Sequence, residues 1–408
     1  MRKKRAFVCF ITILISVTLL TVSATVAQNQ SQEWPMFRHN PNHTGYTSEE
    51  GPTNIRLVWT NMLDNSIYGS PVVSEGKVYI GSTDGRLYCF DADSSDEIWN
   101  YTSAGWIFST PAVTNGSLYF GSCDNRTYCL NASTGDQIWN YTTGDMVYSS
   151  PVVADGKVYI GSIDYNVYCL NASDGSKIWN YSTGLWVDSS PAVADGKVYV
   201  GSTDGYVYCL DAGDGSQIWN YTSTSFGVSS SPAVADGKVY VGSSDSHVYC
   251  LDASNGAPIW NYTTSGEVYS SPAVVSDRIY VGSFDDFVYC LNASTGSKIW
   301  DYETGDDVRS SPAVAGDNVY IGSDDNHIYC LDADTGVQIW NYTTSGPASP
   351  SPAIVGGRVF AASETFRVYC IGDIGEIDPH FLTLILVIAS IAVIFLAISV
   401  SLLLRGRR

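Results

Sequence analysis

Eight of the ten cysteines in this 408-residue chain occupy one position of a repeated motif, of which GYVYCLDA at residues 205–212 is an example. They are Cys89, Cys129, Cys169, Cys209, Cys250, Cys290, Cys330 and Cys370. Thiols at a fixed spacing could form disulfides, bind zinc as thiolates or pack as small apolar side chains. The choice depends on how far apart the repeat places them.

Two other groups of residues could bind metal ions. Aspartates cluster in turns such as DADSSDE from Asp91 and DADTG from Asp332, but none has the glycine at the sixth place and the glutamate at the twelfth that a calcium loop needs. His39 and His43 stand four residues apart, with Pro41 opposing a helix that would present both to one metal. We favour structural roles, since tight turns select Asp and Asn, and predict no metal site; metal binding is the alternative.

Common catalytic motifs are absent from the sequence. It contains no Gly-Lys-Ser/Thr phosphate loop, no Gly-x-Ser-x-Gly elbow, no His-Glu-x-x-His and no kinase signature. Because repeats fill most of the chain, little sequence remains for a catalytic site. We favour a protein that is not an enzyme and predict no catalytic residues.

The elements that position these residues follow from a repeat of 40 residues, once 41. Tryptophans mark it at Trp59, Trp99, Trp139, Trp179, Trp219, Trp260, Trp300 and Trp340. Prolines mark it at Pro71, Pro111, Pro151, Pro191, Pro232, Pro272, Pro312 and Pro352. A period of this length is typical of solenoids and propellers.

Each unit contains four short runs rich in Val, Tyr, Ile and Trp, separated by turn pairs such as Asp195-Gly196 and Asp204-Gly205. Asp-Gly between apolar runs indicates a β-hairpin. The runs are apolar on both faces, so both faces of each sheet must be covered, as they are between the blades of a β-propeller. The sequence therefore predicts an all-β fold built from four-stranded antiparallel blades.

The number of blades follows from the ends of the repeat. Eight proline-containing inner strands begin between residues 71 and 352, but the last unit ends at VYCIG without its own tryptophan strand. IRLVWTN around Trp59 can supply that strand and close the ring without an exposed edge. We predict an eight-bladed propeller over residues 55–372.

Blade spacing decides the role of the repeat cysteines. Packed sheets lie about 10 Å apart, whereas a disulfide needs Cα atoms within roughly 7 Å and zinc–sulfur bonds are about 2.3 Å. We therefore predict free thiols packed between blades beside the docking tryptophans. Cys123 lies at a hairpin turn instead, where a reactive thiol is the alternative to packing.

The segment from each repeat cysteine to the next tryptophan, such as CLNASTGDQIW from Cys129 to Trp139, resembles the docking motif of the pyrroloquinoline quinone (PQQ) repeat family. That motif is Ala-x-Asp-x-x-Thr-Gly-x-x-x-Trp; Cys129 stands in place of its alanine and Asn131 in place of its aspartate. WPMFRHNPNHTGYT, residues 34–47, resembles the segment that precedes many propellers of the family. The resemblance, over roughly residues 34–372, implies a fold like that of the eight-bladed, non-catalytic outer-membrane assembly lipoprotein.

The same family includes quinoprotein dehydrogenases, which hold PQQ beside Ca²⁺ at one propeller face. These enzymes usually carry an adjacent Cys-Cys disulfide and long insertions. This chain has no Cys-Cys pair and its connections barely vary in length, so the resemblance transfers the fold and not the chemistry. We predict no cofactor; PQQ with Ca²⁺ belongs to the alternative of a quinoprotein oxidoreductase.

The two ends of the chain predict export and anchoring. Residues 1–27 have the basic start, apolar run and small residues of a secretory signal. Residues 381–404 carry no charge and are long enough to span a membrane, and the basic tail at 405–408 predicts a cytoplasmic end. Between them we assign a lead segment at 28–54 that packs on the propeller and a short linker at 373–380. The propeller is then outside the cell, on a single-pass membrane protein.

The net charge of the chain and its glycosylation sequons limit the kinds of partner that it could bind. Residues 28–380 contain 14 basic and 41 acidic residues, a net charge of −27, which excludes nucleic acid as a partner. Asn-x-Ser/Thr sequons recur in the fourth strand of the unit, and we expect several to be glycosylated if the host modifies them. These are Asn100, Asn140, Asn180, Asn220, Asn261 and Asn341.

Variation on this constant scaffold indicates a recognition surface. The turns between second and third strands and the loops between blades lie on one face, where aromatic and charged residues vary. The candidate residues are Tyr68, Arg86, Trp106, Phe108, Arg126, Tyr148, Trp186, Asp188, Tyr206, His247, Tyr269, Phe287, Arg309, His327 and Arg367. We predict that this face binds a protein, a glycan or a small ligand at the cell surface. A quinoprotein oxidoreductase and a structural glycoprotein of the cell envelope are the alternatives.

Overall fold

A computed structural model describes residues 33–222 and 227–373 of the chain. The predicted signal segment, membrane helix and cytoplasmic tail lie outside these residues. Within the described ranges, no helix is long and apolar enough to cross a membrane. All regular elements of these ranges are β-strands.

The strands form eight blades in chain order. Two strands precede them: β1 (Tyr46–Thr47) and β2 (Ile55–Met62). Blade 1 comprises β3 (Val72–Ser74), β4 (Lys77–Gly81), β5 (Arg86–Asp91) and β6 (Glu97–Thr102), and blade 2 comprises β7 (Ala112–Thr114), β8 (Ser117–Ser122), β9 (Arg126–Asn131) and β10 (Gln137–Thr142). Blade 3 comprises β11 (Val152–Ala154), β12 (Lys157–Gly161), β13 (Asn166–Asn171) and β14 (Lys177–Ser182), and blade 4 comprises β15 (Ala192–Ala194), β16 (Lys197–Gly201), β17 (Tyr206–Asp211) and β18 (Gln217–Thr222). Blade 5 comprises β19 (Ala233–Ala235), β20 (Lys238–Ser243), β21 (His247–Asp252) and β22 (Pro258–Thr263), and blade 6 comprises β23 (Ala273–Val275), β24 (Arg278–Gly282), β25 (Phe287–Asn292) and β26 (Lys298–Glu303). Blade 7 comprises β27 (Ala313–Ala315), β28 (Asn318–Ser323), β29 (His327–Asp332) and β30 (Gln338–Thr343). Blade 8 comprises β31 (Ala353–Val355), β32 (Arg358–Ser363) and β33 (Arg367–Asp373), and its fourth strand is β2.

The sequence of one blade explains its register. In blade 4 the antiparallel pairing places Tyr199 opposite Cys209 and Cys209 opposite Trp219. The three residues therefore share one face of the sheet, as the period of two along each strand requires. The other blades repeat this row, so each cysteine lies between a tyrosine and a tryptophan, except that Phe360 takes the place of the tyrosine opposite Cys370 in blade 8.

The N-terminal strand closes the ring. β2 pairs with β33 in antiparallel register, with Trp59 opposite Cys370, and supplies the outer strand of blade 8. The predicted all-β, eight-bladed propeller with this closure is confirmed. β33 extends to Asp373, one residue past the predicted boundary of the propeller.

A ring of hydrogen bonds also joins the innermost strands. The residue before each proline is serine or threonine, and its backbone N–H donates to the hydroxyl of the same residue in the next blade. The eight residues of this hydroxyl ring are Ser70, Thr110, Ser150, Ser190, Ser231, Ser271, Ser311 and Ser351. Ser351 donates to Ser70, so the hydrogen bonds run without a break around the channel.

Docking tryptophans fasten each blade to the next. Trp219 of blade 4 is buried, and its indole N–H donates to the Ala253 carbonyl of blade 5 at 3.2 Å. A Cβ added to Gly256 would come within 2.6 Å of that indole ring, and Gly256 has φ +74°. Glycine is therefore required at this turn both for its backbone conformation and for the close approach of the ring.

The repeat cysteines are buried and free. Cys209 lies between Tyr199 and Trp219, and burial is the main cause that raises the pKa of its thiol to about 12. Such thiols are protonated at neutral pH and unsuited to act as nucleophiles or metal ligands.

The lead segment closes the end of the channel opposite the turns between second and third strands. Its residues 33–36 lie beside the turns between first and second strands, at Ser74–Glu75 and Asn115–Gly116. Its carbonyls accept hydrogen bonds from the innermost strands of six blades. The donors are Val73, Val113, Val193, Val234, Val274 and Val314. His39 packs against Trp34 and His43 packs against Phe37.

Candidate recognition site at the channel mouth

The channel mouth is the end of the channel formed by the loops between blades and the turns between second and third strands. The residue three before each proline reaches it because the innermost strand begins there. These eight residues are Tyr68, Phe108, Tyr148, Asp188, Ser229, Tyr269, Arg309 and Ser349. All are partly or fully exposed.

Aromatic side chains form a continuous row on one side of the mouth. The ring centroids of Tyr68 and Phe108 are 5.1 Å apart, and those of Phe108 and Tyr148 are 5.2 Å apart. Trp106 joins the row edge-on to Phe108 at 6.0 Å. These are ordinary distances for favourable aromatic pairs, so the row presents one preassembled surface from three neighbouring blades.

Trp106 separates two clefts. The larger, of about 410 Å³, is bounded by Trp106, Cys123, Met146 and Tyr148 together with the turn at Asp84. The smaller, of about 200 Å³, lies between Trp106 and Tyr68. Trp106 is 55% exposed, although an indole of this size is usually well covered in a folded protein. The tryptophan and its clefts have the shape of a site that accepts a side chain or a small ring.

Blade 4 presents a second exposed tryptophan at the corresponding position. Trp186 is 52% exposed, and the neighbouring Leu185 is exposed as well. The Trp186 carbonyl accepts hydrogen bonds from Ser202 and Thr203. These bonds fix the backbone of the loop, while the indole side chain stays outside the core. The mouth therefore carries exposed tryptophans on blades 2 and 4 in addition to the aromatic row.

The opposite side of the mouth is polar. Arg309 lies over the ring of Phe284, with 5.0 Å from Cζ to the centroid, and its Nε is 2.7 Å from Asp324 Oδ2. Ser349 donates to Asp324 Oδ1 at 2.7 Å, and Tyr269 packs on Phe284 at 4.8 Å. Burial raises the pKa of Asp324, although Ser349 and Arg309 oppose that shift.

Asp188 lies between the aromatic and polar sides. It is mostly buried, and burial raises the pKa of its carboxyl, opposed by a hydrogen bond from Ser229. Its Oδ1 has no partner among the described residues. A buried carboxylate oxygen without a hydrogen bond makes the charged form of Asp188 costly.

Three carboxylates approach one another near the polar side. One oxygen each of Asp286, Asp306 and Asp307 lies within 4.8 Å of the others. Burial and the neighbouring Asp307 raise the pKa of Asp286. The cluster is partly open to solvent, and Asp307 Oδ2 also lies 3.7 Å from Arg309 Nη2.

The predicted residues at the start of the third strand form a separate, outer group. Arg86 is 2.8 Å from Asp64, and His247 bonds to Thr263 and stacks on Tyr249. Tyr206, Phe287 and His327 likewise pack on the tyrosine two residues along the strand. Arg126 and Arg367 occupy the same position in β9 and β33. The predicted set therefore divides into a group at the mouth and a group near the outer strands.

Sequence reasoning did not place three residues at the mouth: Phe284, Asp324, and Cys123, which it singled out only as a thiol at a hairpin turn. Each follows the Gly-Ser at the end of a second strand, where the other blades have Thr83, Ile163, Thr203, Ser244 and Glu364. That variation was a usable signal. The six predicted sequon asparagines all lie exposed on outer strands.

Comparison with known proteins places this architecture in a family. The family model for outer membrane protein assembly factor BamB, a PQQ-type repeat, matches residues 52–148, 107–231 and 204–380. No curated protein matches the sequence.

Solved structures share the fold at low sequence identity. BamB from Moraxella catarrhalis is 18% identical over 78% of this chain and 99% of its own, with a TM-score of 0.69. A europium-containing methanol dehydrogenase is 13% identical over 84% and 98%, with a TM-score of 0.74. Quinohemoprotein alcohol dehydrogenase from Comamonas testosteroni is 14% identical over 85% and 81%, with a TM-score of 0.72. At these identities the likeness concerns the fold alone.

Proposed function

Since this chain belongs to the family of outer membrane protein assembly factor BamB, we propose that it is a binding or scaffolding propeller that recognises a protein partner through its channel mouth. In this proposal the segment at 381–404 anchors it in the cell membrane and the propeller lies outside the cell. The family supports a scaffolding role, and the partner itself is a matter for experiment.

The observation that carries the proposal is the aromatic row with its clefts. The row presents a preassembled aromatic surface formed by Tyr68, Trp106, Phe108 and Tyr148. Within the described residues, no other segment covers this surface. Exposed tryptophan and tyrosine beside a cleft are the residues that most often dominate binding energy at protein interfaces. The polar side, with the half-exposed Arg309, supplies hydrogen-bonding groups that fix orientation.

The experiment places a photo-crosslinking amino acid at position 106 of the full chain in intact cells. The matched control carries it at position 138, because Ile138 is exposed to a similar degree (50%) but lies on the outer strand β10. We expect a protease-sensitive adduct from position 106 and none from position 138.

Other outcomes of this experiment decide against the proposal. An adduct that is removed by glycosidases and resists proteases assigns the mouth to a glycan instead of a protein. Two results contradict recognition at the mouth and favour a structural envelope protein. One is an equal yield of adducts from positions 106 and 138. The other is the absence of adducts both from position 106 and from a second probe at position 186.

The alternative function is a PQQ- and Ca²⁺-dependent oxidoreductase, which the dehydrogenase folds keep open. PQQ is a polycarboxylate and needs cationic partners. The larger cleft is bounded by Asp84 and contains no Arg, Lys or His among its lining residues, and Arg309 is already paired with Asp324. The side chains at the mouth do not suit the cofactor. Adding PQQ with Ca²⁺ to the purified chain should therefore give no stoichiometric shift in quinone absorbance and no dye reduction with alcohols or sugars.

A further inference from the structure

Arg38 of the lead segment is a buried cation inside the channel. It is 2% exposed, and its Nη1 donates to the carbonyl of Pro312 in blade 7. Its Nε and Nη2 have no hydrogen-bond partner among the described residues. Two charged N–H groups are thus left without acceptors in the interior.

The hydroxyl ring is the next layer of the channel toward the mouth. Pro312, whose carbonyl accepts from Arg38, directly follows Ser311 of the ring, so the guanidinium lies one residue along the innermost strand from the ring. Each ring hydroxyl accepts a backbone N–H. In the described part of the chain no ring hydroxyl donates a hydrogen bond, which leaves eight O–H donors around the axis. Arg38 and the ring therefore both offer hydrogen-bond donors to a ligand in the channel.

No acidic side chain compensates the charge. Among the ion pairs of residues 33–222 and 227–373, none includes Arg38. Burying an unpaired charge costs several kcal/mol even after the protein relaxes, and Arg remains protonated in proteins. His43 lies beside Arg38 and hydrogen-bonds to the Pro232 carbonyl. Burial and, to a smaller extent, the Arg38 charge lower the pKa of His43 to about 3. Its imidazole is therefore neutral and adds no second charge.

We propose that Arg38 and the hydroxyl ring form a binding site for a small inorganic anion on the channel axis, between the mouth and the lead segment. The site combines the buried Arg38 guanidinium with hydroxyl donors from the ring, and such N–H and O–H groups hydrogen-bond halides and oxyanions. A bound anion neutralises Arg38 and ties the lead segment to the blades through their innermost strands. This site is distinct from the aromatic clefts of the mouth.

The test measures thermal unfolding of the full chain while sodium gluconate is exchanged for sodium chloride, bromide or sulfate at constant ionic strength. Gluconate, a bulky organic anion, serves as the reference anion. We expect a saturable rise in the melting temperature with at least one small anion, because a ligand that binds only the folded state stabilises it. Chloride and bromide without sulfate indicate a halide site, and sulfate indicates an oxyanion site.

Two variants separate the site from general salt effects. Arg38→Met removes the guanidinium and should abolish the saturable shift, whereas Arg56→Met removes an exposed arginine of β2 and should retain it. If Arg38→Met does not fold, crystals of the unaltered chain grown in bromide decide the matter: anomalous density at hydrogen-bond distance from Arg38 supports the site. Water alone at that position, or melting temperatures that do not respond in a saturable way, overturns it.

Discussion

At the scale of single residues, chemistry is decided by burial more than by residue type. The eight repeat cysteines and Cys123 are all thiols, yet the repeat cysteines are buried whereas Cys123 borders an open cleft. Burial raises the pKa of Cys209 to about 12 and that of Cys123 to about 11. Access, and not the thiolate fraction, therefore sets the difference in their reactivity.

A labelling experiment tests this difference. In the native chain at pH 7.5, a maleimide should label Cys123 and leave the repeat cysteines unlabelled, as read by peptide mass spectrometry. Unfolding in guanidinium should make all of them react. Labelling of Cys209 in the native chain at a rate close to that of Cys123 would show that the repeat cysteines are not packed between blades.

Asp188 gives a pH-dependent prediction. A carboxyl whose pKa is raised on folding binds its proton more tightly in the folded chain, so stability falls as the pH rises from the ordinary value, about 3.9, through the raised one. Asp188→Asn should therefore melt at a higher temperature than the unaltered chain at pH 7. The difference should shrink as the pH is lowered toward 4. A stabilisation that does not depend on pH would contradict the burial of this charge.

The sequence showed only part of this residue-level detail. The fixed position of Cys209 in its repeat predicts its packing, because eight copies share one environment. The unpaired atoms of Asp188 and Arg38 could not be predicted, since they depend on side chains from distant segments. The separation of Arg86 and His247 from the mouth depends likewise on which face of the third strand each one occupies.

At the scale of elements, stability comes from the contact of each outer strand with the next blade. Tyr199 and Trp219 donate to the same carbonyl, that of Ala253, and their ring centroids are 5.9 Å apart. The turn glycines and the strand lengths could be predicted from the sequence, because every unit repeats the same turns and the same contact with the next blade. The path of the lead segment was not readable, because its hydrogen bonds go to six different blades.

Replacing one docking tryptophan measures the strength of this contact. Trp219→Ala should lower the free energy of unfolding by roughly 3–5 kcal/mol, the usual cost of truncating a buried tryptophan. Ile218→Ala, on the exposed face of the same strand, should change it by less than about 0.5 kcal/mol. Denaturant unfolding followed by tryptophan fluorescence and circular dichroism provides both values. Equal losses in the two variants would contradict the docking role.

At the scale of the whole molecule, one strand from the start of the chain closes the ring. Eight equal repeats and an unpaired Trp59 strand predicted this topology, and β2 pairs with β33 as expected. The ring of hydrogen bonds around the axis was not predicted, although the Ser or Thr before each proline was visible in the sequence. Its significance needs the closed ring, which only the assembled blades create.

A cysteine pair tests the closure within one chain. Met62 of β2 and Arg367 of β33 lie opposite each other at the surface. Met62→Cys combined with Arg367→Cys should form an intramolecular disulfide and stabilise the chain by up to about 5 kcal/mol, because the bridge closes a very long loop. Disulfide-linked dimers on a non-reducing gel would instead show that β2 completes the blade of another molecule, and Met62→Cys alone is the control.

The measurement that tests recognition at the mouth most directly is the dissociation constant of the cross-linked partner for three forms of the full chain. We expect Trp106→Ala to weaken binding by roughly 10-fold or more, as truncating a central aromatic contact does, and Ile138→Ala to leave it unchanged. Equal affinity for the unaltered chain and Trp106→Ala would contradict the central role of the channel mouth.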